Sequence, residues 1–324
     1  MKPRIAPAIL VALGCLLAST ACGSSGATNQ PKPAVTPTLP SRVSASIATD
    51  HGPAQLIVAA DGVYVGNHRG GSVQRIDPAT NKIASTMLVG GELGMPITAD
   101  PASPLWVCTN VDGVLHQLDT AASRVTANVP AECDGGWRAV INGKVWALTG
   151  SDSPVLWVID ARTGEVLHKN PVDRWTGPPV AAGDKVYLGS GESGRTFVFS
   201  QDGTPLPPIA VETPWLWPAG GKLYRMPMDG QLAELDPVTL APVHTYTVPK
   251  HEDGDPALVA DDSGHLYYRP DYMKLYRIDI ASGAVDMFLQ LPWEETPTGL
   301  AWGFGSLWIT NFEDDNVWRV NTSV

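Results

Sequence analysis

"VQRIDPATNKIAST", residues 73–86, reads as a strand, a tight turn and a second strand. Its turn phrase returns along the chain. Asp77-Pro78-Ala79-Thr80 is echoed by Asp119-Thr120-Ala121-Ala122, Asp160-Ala161-Arg162-Thr163-Gly164 and Asp236-Pro237-Val238-Thr239, then by Asp279-Ile280-Ala281-Ser282-Gly283 and Asn321-Thr322-Ser323. An Asp side chain accepts from backbone N–H groups two residues on, and Pro presets φ for the next position, so each phrase is turn chemistry. Only one copy departs, with Ser200-Gln201-Asp202-Gly203 in that place.

A second marker runs in phase. Each copy carries one strand aromatic: Tyr64, Trp106, Trp146, Tyr187, Tyr224, Tyr267 and Trp308, at steps of 42, 40, 41, 37, 43 and 41 residues. A period of about 40 residues with four short β runs per copy is the signature of a β-propeller blade. In the first copy the runs are "AQLIVAA", "GVYVGN", "SVQRID" and "KIASTMLV", so the quoted stretch is the hairpin between the third and fourth strands. The aromatics are strand formers expected to pack one blade against the next. The seventh copy ends at Val324 without its outer strand, while "SRVSASIA" (41–48) is a spare alternating strand ahead of the first copy. Placing that strand in the last blade removes two exposed edges. The expectation is an all-β, seven-bladed β-propeller over residues 43–324, its ring closed by the N-terminal strand completing the C-terminal blade.

The ends of the chain are set apart from the fold. Residues 1–22 have a basic start at Lys2 and Arg4, an apolar run "IAPAILVALGCLLA" too short to span a bilayer comfortably, and "LASTAC" ending at Cys22. This resembles a bacterial lipoprotein signal with its lipobox at Cys22, although position −3 is Ser19. An ordinary secretory cleavage near Ala21 is the competing reading. Residues 23–42 are rich in Ser, Thr, Gly and Pro without apolar periodicity, and read as a disordered tether. Setting aside Lys2 and Arg4 leaves 20 basic against 33 acidic residues, a net charge of about −13, which argues against nucleic acid as a partner because nucleic acids are polyanions. No window shows sustained helical periodicity. Two cysteines remain in the body, Cys108 near the end of a second strand and Cys133 in the approach to the next blade. Export makes a disulfide between them plausible, with two buried free thiols as the alternative.

"SVQRIDPATNKIASTMLVG" (72–90) is similar to the repeat of the YVTN-type, YncE-like β-propellers, whose blades end in an Ile-Asp-x-x-Thr-Asn-Lys phrase. "GLAWGFGSLWITNFEDDNVWRV" (299–320) is similar to blades of streptogramin B lyase-like and NHL propellers. These resemblances imply a fold and no particular chemistry. A lyase of that kind would carry a Glu-x-His pair, which occurs nowhere in this chain. "EETPTGLAW" resembles a segment of lactonase-like propellers, which would hold one metal with acids and Asn at the channel mouth.

Propeller sites lie at one mouth of the channel, formed by the loops into each first strand and those joining second to third strands. Every leading loop here carries an acid: Asp50, Glu92, Glu132 or Asp134, Asp173, Glu212, Glu252 or Asp253, and Glu294 or Glu295. Such a ring suits a hard divalent cation such as Ca²⁺, with Glu92, Asp173, Glu252, Glu294 and Glu295 as ligands. The plainer alternative is solvated loop acids with turn roles. Aromatic, basic and amide side chains of the same loops, His51, Arg69, Trp137, Trp175, Trp215, His251 and Asn311, are the expected ligand contacts. No Gly-x-Ser-x-Gly, His-Glu-x-x-His, Walker or Cys-x-x-Cys pattern is present. The expected role is therefore a monomeric binding or interaction module, held by a lipid on Cys22 at the extracytoplasmic face of a cell membrane. Its ligand would be a peptide, a glycan or an envelope protein. A metal-dependent lactonase- or lyase-like propeller enzyme is the alternative.

Overall fold

Strand formation follows the repeat from one end of the chain to the other. The computed structural model describes residues 40–94, 104–133, 136–149, 152–174, 176–211, 215–226, 229–251, 256–291 and 297–323, and among them lie 27 β-strands and no helix. Strand β1 (Val43–Ala48) precedes the first blade. Blade one is β2 (Pro53–Ala59), β3 (Gly62–Asn67), β4 (Ser72–Asp77) and β5 (Lys82–Leu88). Blade two shows β6 (Leu105–Cys108), β7 (Val114–Asp119) and β8 (Arg124–Pro130); the run leading into it, 95–103, lies outside the described residues.

Blade three is β9 (Arg138–Ile141), β10 (Lys144–Leu148), β11 (Val155–Asp160) and β12 (Val166–Pro171). Blade four is β13 (Val180–Ala182), β14 (Lys185–Gly189), β15 (Thr196–Ser200) and β16 (Pro205–Ile209). Blade five is β17 (Leu216–Ala219), β18 (Lys222–Arg225), β19 (Gln231–Leu235) and β20 (Pro242–Thr247). Blade six is β21 (Ala257–Ala260), β22 (His265–Arg269), β23 (Lys274–Asp279) and β24 (Val285–Gln290). Blade seven holds β25 (Pro297–Gly303), β26 (Ser306–Asn311) and β27 (Asn316–Val320), with β1 as its outer strand.

The closure is the one expected from the two chain ends. Strand β1 pairs antiparallel with β27, from Val43 opposite Val320 to Ala48 opposite Asn316, with a bulge between Val43 and Ala45. Its alternation leaves Ser44, Ser46 and Ala48 exposed and buries Ile47. The paired strand covers the edge that β27 would otherwise present to another chain.

Among the described residues seven apolar clusters hold the ring, and the repeat aromatics sit in them. Tyr64 of blade one packs with Leu105 and Val107 of blade two, and Trp106 with Val140 and Val145 of blade three. Trp146 meets Val186 and Phe199, Tyr187 meets Leu216 and Leu223, and Tyr224 meets Leu258 and Leu266. Tyr267 reaches Leu307 and Ile309, and Trp308 of blade seven packs with Leu56 and Val63 of blade one. Each aromatic thus fills the interface to the following blade. At about 200 Å² per ring and about 25 cal/mol per Å², each burial contributes on the order of 5 kcal/mol before ordering entropy.

The two sequence markers run in phase because they touch. Trp106 Nε1 donates to Ala161 O (3.1 Å), in the turn after Asp160 of the next blade, and Tyr187 Oη donates to Pro237 O (2.6 Å), after Asp236. Those turns are built as the sequence implies. Asp77 Oδ1 accepts from Ala79 N at 2.8 Å, Asp160 Oδ1 from Thr163 N at 2.7 Å, and Asp236 Oδ1 from Thr239 N at 2.8 Å. Asp279 Oδ1 takes both the N–H and the hydroxyl of Ser282 at 2.7 Å. These bonds hold all four carboxyls below their ordinary range, led by Ala79 N–H, Thr163 N–H, Thr239 N–H and the Ser282 hydroxyl respectively. In the departing copy Asp202 still accepts from Thr204 N at 3.2 Å.

Cys108 and Cys133 are joined in a disulfide, with Cα atoms 6.1 Å apart. It ties the end of β6 in blade two to the loop that leads into β9 of blade three.

Candidate functional site

That tied loop builds one wall of the channel mouth. A Cβ on Gly136 would lie 1.7 Å from Leu148 O, so only glycine lets the loop press onto the end of β10. Leu148 N then donates to Trp137 O at 2.8 Å. This contact fixes Trp137 and Arg138 at the start of β9. Arg138 is 8% exposed, and its Nη1 donates to Cys133 O. Trp137 in turn stands edge-on to Trp215 and Trp217, with centroids 5.7 and 5.9 Å apart at 89°. These are favourable aromatic geometries, and they join blade three to blade five across the mouth.

Two cavities of about 510 Å³ each meet at Trp137 and Arg138. The lower one is the central channel, bordered by the inner strands β2, β9, β13, β17, β21 and β25 and by apolar side chains such as Leu300 and Trp302. The upper one opens at the mouth between His68, Asn110, Trp137, Arg138, Trp215 and Phe312. His68 Nδ1 donates to Leu93 O, which leaves Nε2 directed toward Glu92 at 3.8 Å.

The expected site residues fall in four groups. Trp137 and Trp215 line the upper cavity. His51 and Arg69 instead stitch the seam between blade seven and blade one. His51 Nδ1 meets Asp315 Oδ2 at 2.8 Å, and Gly52 N donates to Asp315 Oδ1 at 2.7 Å. Arg69 forms a two-pronged pair with Glu313 at 3.0 and 2.9 Å and lies 4.4 Å over the Phe312 ring. His51 is raised above its ordinary value, chiefly by the hydrogen bond to Asp315. Burial pushes Asp315 up, but the Gly52 N–H and His51 outweigh it and hold the carboxyl low. His251 Nδ1 donates to Pro270 O at 2.8 Å, and Asn311 is fully buried with Nδ2 donating to Asn316 Oδ1 at 2.7 Å. Trp175, Glu252, Glu294, Glu295 and Cys22 lie outside the described residues.

Two of the described loop acids, Asp50 and Asp173, are tied to their own neighbours. Asp50 accepts from Ser72 Oγ at 2.8 Å and from His51 N at 2.9 Å. Asp173 accepts from Ser190 Oγ at 3.1 Å and Arg195 Nη2 at 3.2 Å; burial pushes it up, but hydrogen bonds from Ser193, Arg195 and Ser190 together hold it low. Glu92 is exposed, 3.8 Å from His68. Among the described residues no group of three or more His, Cys, Asp or Glu is placed to hold a metal ion. His68, Asn110, Arg138, Phe312 and Gly94 line the mouth without having been among the expected contacts; Phe312 and Gly94 sit in loops whose sequence shows no feature beyond one aromatic and one glycine.

The fold is shared widely. BamB from Moraxella catarrhalis overlays 86% of this chain and 99% of its own, with a TM-score of 0.62 and 16% identity. A streptogramin B lyase overlays 84% of this chain and 94% of its own, at TM-score 0.65 and 16% identity. The Cps50 (Swd1) β-propeller domain of Myceliophteria thermophila overlays 87% and 99%, at TM-score 0.68 and 12% identity. At these identities the likeness is one of fold. No protein-family model and no curated protein matches the sequence.

Proposed function

We propose that the chain is an exported binding module, anchored by lipid on Cys22 to the outer face of a cell membrane, whose ligand enters the upper cavity at the channel mouth. One observation carries the reading: a cavity of about 510 Å³ walled by Trp137, Trp215 and Phe312, at a mouth where His51 pairs with Asp315 and Arg69 with Glu313. Aromatic walls with a few polar groups on a rigid scaffold suit recognition. A nucleophile, a base and its orienting partner in one chain of hydrogen bonds would be needed for acyl transfer, and no such arrangement lines this cavity among the described residues. The fold itself does not choose, since propellers host both lyases and interaction domains.

The test is capture from a native envelope extract by the full chain. Partners retained by the wild type are expected to be lost with Trp215→Ala and Phe312→Ala and kept with Val238→Ser, an exposed change in the blade-five turn. Equal retention by all variants would place binding elsewhere. Anchoring is read separately, as loss of palmitate incorporation and of membrane association on Cys22→Ser.

A further inference from the structure

Side chains that face a water-filled pore are ordinarily polar, and those of the lower channel are not. Around its lumen of about 510 Å³ stand Trp217, Leu300 and Trp302, each half-buried, and Pro218, which is exposed. These surfaces meet solvent, so the lumen is open to a ligand. Among the described lining residues only Gln55 and Arg138 carry an amide or a charge, and both stand at the upper end, near the starts of β2 and β9. Arg138 is already engaged there by Cys133 O. No carboxylate and no ammonium lines the channel among the described residues, although the whole chain carries a net charge of −11. A concentration of half-buried apolar side chains in one concave place is the mark of a site.

The indoles lend this channel their faces and keep their donors elsewhere. Trp217 Nε1 donates to Leu258 O at 2.9 Å, and Trp302 Nε1 to Asp262 Oδ2 at 3.2 Å. Trp137 and Trp217 both line the lumen and stand at 89° to each other, which makes a flat-sided corner. The wall is also preformed. A Cβ on Gly303 would lie 2.3 Å from Val58 Cγ1, so glycine there sets β25 directly against β2. The inner strands have a hydrogen-bonded neighbour on one side only, so the polar character left to the lumen is that of main-chain edges without net charge. A charged ligand would give up its hydration with no counter-charge to meet it. An uncharged apolar one would release on the order of 17 waters, at about 30 Å³ each, from apolar walls. The lining follows β2 from Gln55 to Val58, about 10 Å of strand, which leaves a cross-section on the order of 50 Å². That is more than one extended alkyl chain fills, and it suits a compact ring system.

We propose that the lower channel is a second binding site, which takes an uncharged, compact apolar molecule built of rings and seats it against Trp217, Leu300 and Trp302. The site is separate from the mouth and stands or falls apart from the binding-module reading above.

The probe is N-phenyl-1-naphthylamine, an uncharged fluorophore whose emission rises in apolar surroundings, titrated into the full chain and excited through tryptophan. Saturation at one probe per chain is expected. Naphthalenemethanol is expected to displace it at least about tenfold better than either naphthoate or naphthylmethylammonium, because each of the latter must bury a charge. Leu300→Asp sets a carboxylate in the lumen, and Pro218→Trp fills it from an exposed position; both are expected to abolish probe binding. A thermal melt of each variant separates loss of the site from loss of the fold, and the charge comparison on the wild type needs no variant at all. Phe312→Ala tells the two cavities apart, since Phe312 borders only the upper one: probe binding lost with that change would belong to the mouth. That result, emission that never saturates, displacement by the charged naphthalenes as good as by the alcohol, or binding that survives in folded Leu300→Asp and Pro218→Trp would overturn the proposal. Envelope capture that fails while the probe binds removes the mouth reading alone, and the reverse outcome removes only the channel site.

Discussion

Ile47→Ala tests whether the N-terminal strand closes the ring in solution. Ile47 is the buried residue of β1, 5% exposed, in a cluster with Trp308 and Val317 of blade seven and Leu56 of blade one. It therefore touches both sides of the closure. Truncating a buried isoleucine to alanine costs about 2–5 kcal/mol, depending on how far the site collapses. At the rim of a sheet some collapse is available, so about 3 kcal/mol is expected. The urea slope of a chain this size sits near the upper end of the usual range, about 3 kcal/mol per M, which converts the loss to a midpoint shift of about 1 M with the slope unchanged. Ser46→Ala, on the exposed side of the same strand, is expected to move stability by less than about 0.5 kcal/mol. Unfolding of the full chain followed by tryptophan fluorescence reads both. If Ile47→Ala shifted the midpoint no more than Ser46→Ala, β1 would not be docked on β27 and the closure argument would fail.

Two further outcomes follow from the same geometry. Cys108→Ser with Cys133→Ser opens a covalent loop of sequence separation 25, and a loss of about 3 kcal/mol of unfolding free energy, read by urea titration, is expected on the chain-entropy account. His51→Asn removes the ion pair at the blade-seven seam. His51 is raised above 6.5, so its contribution is complete below that value and disappears as pH rises through the raised one; Asp315, held below 3.8, contributes above its ordinary value and is lost as pH falls through the lowered one. The melting-temperature gap between wild type and His51→Asn is therefore expected to be widest at about pH 5 and to close by about pH 9, and a gap independent of pH would show that the pair does not act through charge.

The fold was legible because it rests on residues whose roles are local. Asp160 needs only the N–H groups of the next few residues to make its turn, and Trp146 needs only a neighbouring copy to pack against, so spacing alone reveals both. The closure was legible for a similar reason, since a missing outer strand and a spare one require each other. The mouth was less so. Acids counted along the loops say nothing of where each carboxylate finds a donor. Asp50 finds Ser72, 22 positions away, and His51 finds Asp315, 264 positions away. The second pairing depends on ring closure, which brings the first and last blades together. His51 and Arg69 were read as ligand contacts from loop position, and the fold uses them as seam partners. Arg138 stands in the cavity floor because Gly136 permits a close approach and the disulfide fixes the loop, a conjunction that no single segment displays.

The most direct measurement is photo-crosslinking in the native envelope, with a photoreactive phenylalanine placed in turn at position 312, in the cavity wall, and at position 238, in the exposed blade-five turn. Discrete adducts from position 312, absent from 238 and reduced by Trp215→Ala, are the predicted result. Adducts that form equally from both positions, or from 238 alone, would contradict a ligand site at the channel mouth.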